Sequence, residues 1–110
     1  MERLKVRFRP EARRDLLAIF SYVLELSRSP STSRGFVQRI RARCERIGYV
    51  PHGGRPRDDL EPGLRTVPFE NCAVIAYKVE DDCVRITNIF YGGRNYEALY
   101  RASSPDDAAS

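Results

Sequence analysis

The apolar positions of the chain change their period along its length, and those changes divide it into elements. Leu4, Val6 and Phe8 alternate with Arg3, Lys5 and Arg7, the two-residue period of a half-buried strand. From Pro10 the spacing becomes three and four. Ala12, Leu16, Ile19, Phe20, Val23 and Leu26 then share one face of a helix running to about Ser27. Pro10 suits a first helical position, and Glu11 and Asp15 place negative charge near the positive end of the helix dipole. The stretch Ser27-Arg28-Ser29-Pro30 breaks the pattern, because a residue before proline is pushed out of the α region; Ser29 can then cap a second helix that begins at Pro30. Its apolar stripe is Phe36, Val37, Ile40, Cys44 and Ile47, it ends at Gly48, and the short connection sets it antiparallel to the first helix. Gly35 is costly inside a helix, and a close crossing of the two helices accounts for it.

Val50 to Gly63 is dense in Pro and Gly and predicts a loop. Leu64 to Phe69 alternates again, with Leu64 and Val67 inward. Pro68 confines that strand to a sheet edge or a bulge, since it cannot donate a ladder hydrogen bond. Two runs rich in β-branched and aromatic residues, Cys72–Val79 and Val84–Tyr91, flank Glu80-Asp81-Asp82 and predict a hairpin. If Asp81 and Asp82 form the turn, Ala73, Ile75, Tyr77 and Val79 lie opposite Phe90, Asn88, Ile86 and Val84 on a face that buries. Cys72, Val74, Ala76 and Lys78 then lie opposite Tyr91, Ile89, Thr87 and Arg85 on a face that is half apolar. Lys78 across from Arg85 sets like charges together, which Glu80 offsets. Arg94 to Arg101 can make two helical turns, and the final residues have nothing to bury.

The expected architecture is α+β: a β-α-α-β-β-β order in which an antiparallel sheet packs against an N-terminal α-hairpin, with a short C-terminal helical tail. One domain spans 1–101 and a flexible tail follows at 102–110. The core is expected from Leu4, Val6, Leu16, Phe20, Val23, Phe36, Ile40, Cys44, Ile75, Tyr77, Val84 and Ile86.

Composition refines this picture without changing it. At 110 residues, 42% hydrophobic and 31% charged, the chain has the size and make-up of one folded domain. Net charge is +4, and because Asp106 and Asp107 lie near the end, residues 1–105 carry +6. A basic body attracts acidic surfaces or nucleic acid. Arg39, Arg43 and Arg46, with Arg34 and Arg41 beside them, read first as a solvated helix face and second as a contact for an acidic partner or nucleic acid. Three cysteines in no metal or disulfide spacing read as free thiols, Cys44 as a buried one. The N-terminus lacks the apolar run of a signal peptide and no window is apolar enough to span a membrane, so a cytoplasmic location is expected.

Chemical motifs are sparse. His52, the sole histidine, lies in the Gly-rich loop with no nucleophile in a recognisable context, and Asp58-Asp59-Glu61 and Asp81-Asp82 fall where turns favour Asp. His52-Gly53-Gly54-Arg55 is not followed by the Lys-Ser/Thr of a phosphate loop, and no metal or cofactor motif is present. A basic rim remains: Arg55, Arg57, Arg65, Arg85 and Arg94, with Tyr91 and Tyr96 nearby. Such a set can orient a phosphate and stabilise charge, or dock on an acidic protein.

Pro10-Glu11-Ala12 with Asp15-Leu16 and Ile19 to Tyr22, then Phe36 and Ile40, Pro51, Gly54-Arg55 and Gly63-Leu64-Arg65, then Tyr77 to Asp82 and Ile89 to Arg94, together resemble the ParE branch of the RelE/ParE toxin superfamily. The resemblance spans about residues 3–101. It implies a type II toxin made with a ParD-like antitoxin in a hetero-oligomeric complex, with DNA gyrase as target, no enzyme activity, no cofactor, and no direct binding to nucleic acid or membrane. On that reading Arg57, Arg65, Arg85, Tyr91, Arg94 and Tyr96 meet the target, and Leu17, Leu24, Arg39, Arg43, Val74 and Lys78 meet the antitoxin. RelE-type relatives instead cleave messenger RNA on the ribosome. The histidine expected before the last Gly-x-Arg of a ParE chain is Tyr91 here, so the resemblance also implies an alternative RNase site of Arg65, Arg85, Arg94 and Tyr91.

Overall fold

The computed structural model describes residues 3–92 and 95–102. In chain order these form β1 (Lys5–Phe8), α1 (Pro10–Ser27), α2 (Pro30–Ile47), β2 (Arg55–Pro56), β3 (Leu64–Phe69), β4 (Ala73–Val79), β5 (Cys83–Tyr91) and α3 (Tyr96–Ala102). The proline starts both long helices as expected, and the Ser29 hydroxyl accepts the Thr32 N–H at the start of α2. Arg28 closes α1 in the left-handed region (φ 56°), where glycine is the usual residue. Gly48 ends α2 where the chain passes β1, and a Cβ there would strike the Leu4 carbonyl.

The sheet is mixed, not antiparallel. Its order is β1-β5-β4-β3-β2, and β1 runs parallel to β5, pairing Lys5 to Phe8 with Cys83 to Ile86. The α-hairpin fills the crossover from β1 back to the sheet, which a parallel neighbour requires. The expected loop also contains β2, which pairs with Arg65 and Thr66 on the outer side of β3 and leaves Pro68 without a neighbour on that side. The tail helix is present as α3; Arg94 and residues 103–110 lie outside the described residues.

The hairpin keeps its expected register only near the tip. Val79, Lys78 and Tyr77 face Val84, Arg85 and Ile86, after which a bulge at Thr87 shifts the pairing, so Ala76 faces Asn88 and Ala73 faces Tyr91. The bulge turns Ile89 and Tyr91 toward the helices and sends Phe90 to the opposite face, while the Asn88 amide donates to Asp15 of α1 at 3.3 Å. This corrects the expected faces. The helix side now holds Ala73, Ile75, Tyr77, Val84, Ile86 and Ile89 against Ala12, Leu16, Ile19, Val23, Phe36, Ile40, Cys44 and Ile47. The other side holds Leu64, Ala76 and Phe90 under α3, where Tyr96 stacks on Phe90 at 5.1 Å and Tyr100 meets the same ring edge-on.

Three packing expectations change. Leu4, Val6 and Phe20 are only partly buried, and Leu26 is 66% exposed. Gly35 is not at a helix crossing, since a Cβ there would meet only the end of Arg39 at 3.9 Å. The close approach is at Ser33, fully buried, whose hydroxyl donates to the Phe20 carbonyl. Burial pushes the Cys44 thiol up to about 12, so it stays a neutral packing group.

Candidate interaction site

The loop from Tyr49 to Gly54 is held on the sheet by two side chains. Tyr77 is fully buried in β4, and its hydroxyl accepts the Gly54 N–H at 2.9 Å and donates to the Pro51 carbonyl at 2.8 Å. Position 54 has to be glycine here, because a Cβ would collide with that hydroxyl. Arg65, opposite Tyr77 on β3, donates through one nitrogen to the carbonyls of His52 and Gly54 at 2.9 and 2.8 Å. Burial raises the Tyr77 pKa, so its proton stays in place. The loop therefore presents Tyr49 (55% exposed) and Val50 (65% exposed) from a fixed backbone.

The basic rim is dispersed by the fold. Arg65 lies on the helix side of the sheet and Arg85 on the other, both at the end nearest the hairpin tip. Arg85 pairs with Glu80 at 2.8 Å, and Lys78 has its own partner in Glu61 at 3.0 Å, so the two opposed cations each keep a carboxylate. The Arg85 guanidinium holds the Glu80 carboxyl below its ordinary range. Tyr91 is six residues further along β5, about 20 Å away at strand spacing. It lies on the helix side with Tyr22 and Phe36, each at 5.5 Å, and burial raises its pKa. Arg65, Arg85 and Tyr91 thus surround no common point; Arg94 lies outside the described residues.

Arg57 turns inward. Only 7% exposed, it donates to Asp59 at 3.0 and 2.9 Å, to Glu97 at 2.9 Å and to the Tyr96 hydroxyl at 3.3 Å. Its role in the structure is to fasten α3 to the β2–β3 loop. A loop arginine reads as solvated, and the partners that bury it come from 40 residues away, so only Glu97 in the tail helix could have hinted at it.

The antitoxin candidates also divide. Leu17 is 70% exposed and Leu24 half-buried on the outer side of α1, where Leu24 lines a shallow depression with Ser21, Glu25, Arg28 and Pro30. Arg39 on α2 clasps Glu70 through two bonds of 2.9 and 3.1 Å, and Arg43 lines a depression with Arg46, Tyr49 and Val50. Val74 and Lys78 lie on the far face of the sheet.

One groove was not anticipated. It has a volume of about 280 Å³ between α1 and the end of β5, lined by Asp15, Ala18, Ile19, Tyr22, Ile89, Tyr91 and Gly92. β1 stops at Phe8, so this half of β5 is paired with β4 on one side and has no strand on the other, where the Asp15 carboxylate accepts the Ile89 N–H at 2.8 Å instead. The signal in the sequence was the phase change of the apolar residues from Val84 and Ile86 to Ile89 and Tyr91.

A solved structure described as "Chromosomal ParDE TA system from P. aeruginosa" superposes with a TM-score of 0.71 at 23% identity, covering 81% of this chain and 96% of that one. At that identity the likeness establishes a common fold. No curated protein matches the sequence. The family model described as "ParE toxin of type II toxin-antitoxin system, parDE" matches residues 6–96. The chain is therefore a toxin of the type II class. Within that class it belongs to the ParE toxin family. No described helix is long and apolar enough to cross a membrane.

Proposed function

We propose that the protein inhibits DNA gyrase and so blocks replication in the cytoplasm, and that a ParD-like antitoxin neutralises it by wrapping its surface. The observation that carries this reading is the ParE family match over residues 6–96. The placement of Arg85 and Tyr91 about 20 Å apart on opposite faces adds support, since an RNase site built from Arg65, Arg85 and Tyr91 needs them around one phosphate. The toxin acts by gripping its target and performs no bond chemistry. Arg65 and Tyr91 on the helix side, Arg85 and Tyr96 on the other face, and Arg94 are separate target contacts around the sheet, not one pocket, and Arg57 supports them by holding Tyr96 in place.

The antitoxin is a partner that folds as it binds, its apolar side chains lying on the exposed side of α1 at Leu17 and Leu24, with Arg39, Arg43, Val74 and Lys78 as further contacts. Expression in cells tests both halves. Induction should halt replication, co-expression of the neighbouring antitoxin gene should restore growth, and Arg65→Ala with Arg85→Ala and Arg94→Ala should abolish the arrest. Full toxicity of that triple variant refutes the target surface. Unchanged antitoxin affinity after Leu17→Glu or Leu24→Glu refutes the antitoxin placement.

A further inference from the structure

Charge is distributed unevenly between the parts of the fold. Residues 3–9 and 30–57 hold eleven Lys and Arg and a single carboxylate, Glu45, whereas residues 58–102 hold five Lys and Arg against eight Asp and Glu. The two basic segments are remote in sequence and adjacent in space. β1 runs along α2: Arg41 stacks on the Phe8 ring at 5.4 Å, Arg3 pairs with Glu45 at 2.6 Å, and the Leu4 N–H donates to the Gly48 carbonyl at 2.9 Å. Arg3 also lies over the Tyr49 ring at 5.7 Å. It therefore joins two shallow depressions, one lined by Arg3, Lys5, Val6, Arg7 and Glu45, the other by Arg43, Arg46, Tyr49 and Val50.

The one carboxylate lining these two depressions, Glu45, is engaged by Arg3; Glu80 at the hairpin tip beside β1 is taken by Arg85, and Lys5, Arg7, Arg41 and Arg46 make no ion pair among the described residues. Helix and strand that each read as an ordinary solvated face thus merge into one cationic edge.

We propose that this edge binds the phosphate backbone of duplex DNA, with Lys5, Arg7, Arg41 and Arg46 as the phosphate contacts. The choice of DNA over an acidic protein rests on what the edge lacks. Stable protein interfaces have an apolar centre depleted of charge, and here the apolar residues Tyr49 and Val50 sit at one end with the cations spread beyond them. A phosphate backbone needs no such centre: hydrated cations spaced along an edge bind it by releasing counterions. Binding of this kind is independent of base sequence and departs from the absence of direct nucleic-acid binding that the family resemblance implies; it does not depend on the gyrase reading, because it requires only the toxin and DNA.

Fluorescence anisotropy of a short labelled duplex with the purified full chain tests the inference. Four phosphate contacts should give an affinity that falls roughly 10²-fold between about 50 and 200 mM salt. The Lys5→Gln/Arg7→Gln pair should weaken binding and reduce the salt slope by about 2. Arg41→Gln/Arg46→Gln should do the same from the helix side, and melting curves check that each variant folds. Arg101→Gln, on α3, removes one charge outside this edge and should leave the salt slope unchanged. Three results overturn the proposal: no binding at low salt, an unchanged salt slope in both paired variants, or displacement of the duplex by an acidic peptide of equal charge at equal concentration.

Discussion

Tyr77 is a core residue whose hydroxyl holds a surface loop, so Tyr77→Phe separates the two roles. The ring stays packed, and the loss is confined to the hydrogen bonds with Gly54 and Pro51. The Gly54 N–H is left unpaired in a buried position, which costs about 1–3 kcal/mol. The Pro51 carbonyl is only half-buried and regains water, so a net cost of about 2 kcal/mol is expected. For a domain of this size that corresponds to a fall in Tm of about 8 °C. Urea unfolding should show a lower midpoint with an unchanged slope, because the surface exposed on unfolding is the same.

A second substitution makes the test specific. Gly54→Ala drives a Cβ into the Tyr77 hydroxyl, an overpacking worth about 1–3 kcal/mol. In the Tyr77→Phe background the nearest clashing atom is gone while the ring carbons Cε1 and Cζ remain at 2.8 and 2.9 Å, so the collision is eased but not abolished and the two changes should be non-additive by at least about 0.5 kcal/mol. Hydrogen exchange at Gly53 and Gly54 should quicken in either variant. Additive effects, or a midpoint shift below about 0.5 kcal/mol with unchanged exchange, refute the claim that this hydroxyl anchors the loop.

Arg57→Met should free α3 from the β2–β3 loop while leaving the main core intact, read as faster exchange and earlier proteolysis at residues 96–102; equal protection in both proteins would show that ring stacking on Phe90 is sufficient. Arg28→Gly should raise Tm by about 4 °C, since the left-handed φ of 56° costs an L-residue about 1 kcal/mol that glycine avoids; an unchanged or lower Tm contradicts this. Hydrogen bonds from Arg39, Arg57 and Arg85 lower the pKa values of Glu70, Asp59, Glu97 and Glu80 below their unfolded values. Between those values the unfolded chain binds more protons, so this stability is complete above about pH 4.5 and lost as pH falls through the depressed folded values. Tm measured against pH should drop there, and Glu70→Gln should flatten the drop; a wild-type Tm that stays level there contradicts the assignment.

How much of this could be read from the residues follows from which signals are local. Pro10, Ser29-Pro30 and Gly48 act on their own neighbourhoods, and both helix spans emerge as expected. The hairpin tip was legible because Asp81-Asp82 fixes the nearest three pairs. The bulge at Thr87 has no glycine to mark it, although the phase change from Ile86 to Ile89 recorded its effect. The parallel place of β1 was hidden, because an alternating strand does not say which edge it joins. Long-range pairing defeated the site residues too. Arg57 is buried by Glu97, and the Tyr77 hydroxyl is used by a backbone more than 20 residues earlier. Arg85 and Tyr91 are close in sequence, yet strand rise and the bulge set them at opposite ends and faces.

A toxin that works by binding gyrase, as proposed, should cleave no RNA. The most direct test is a pair of titrations with one purified preparation: gyrase supercoiling of relaxed plasmid, and cleavage of messenger RNA on translating ribosomes. Supercoiling should fail as toxin is added and recover when antitoxin follows, with transcripts intact throughout. Cut transcripts beside normally supercoiled plasmid would contradict it.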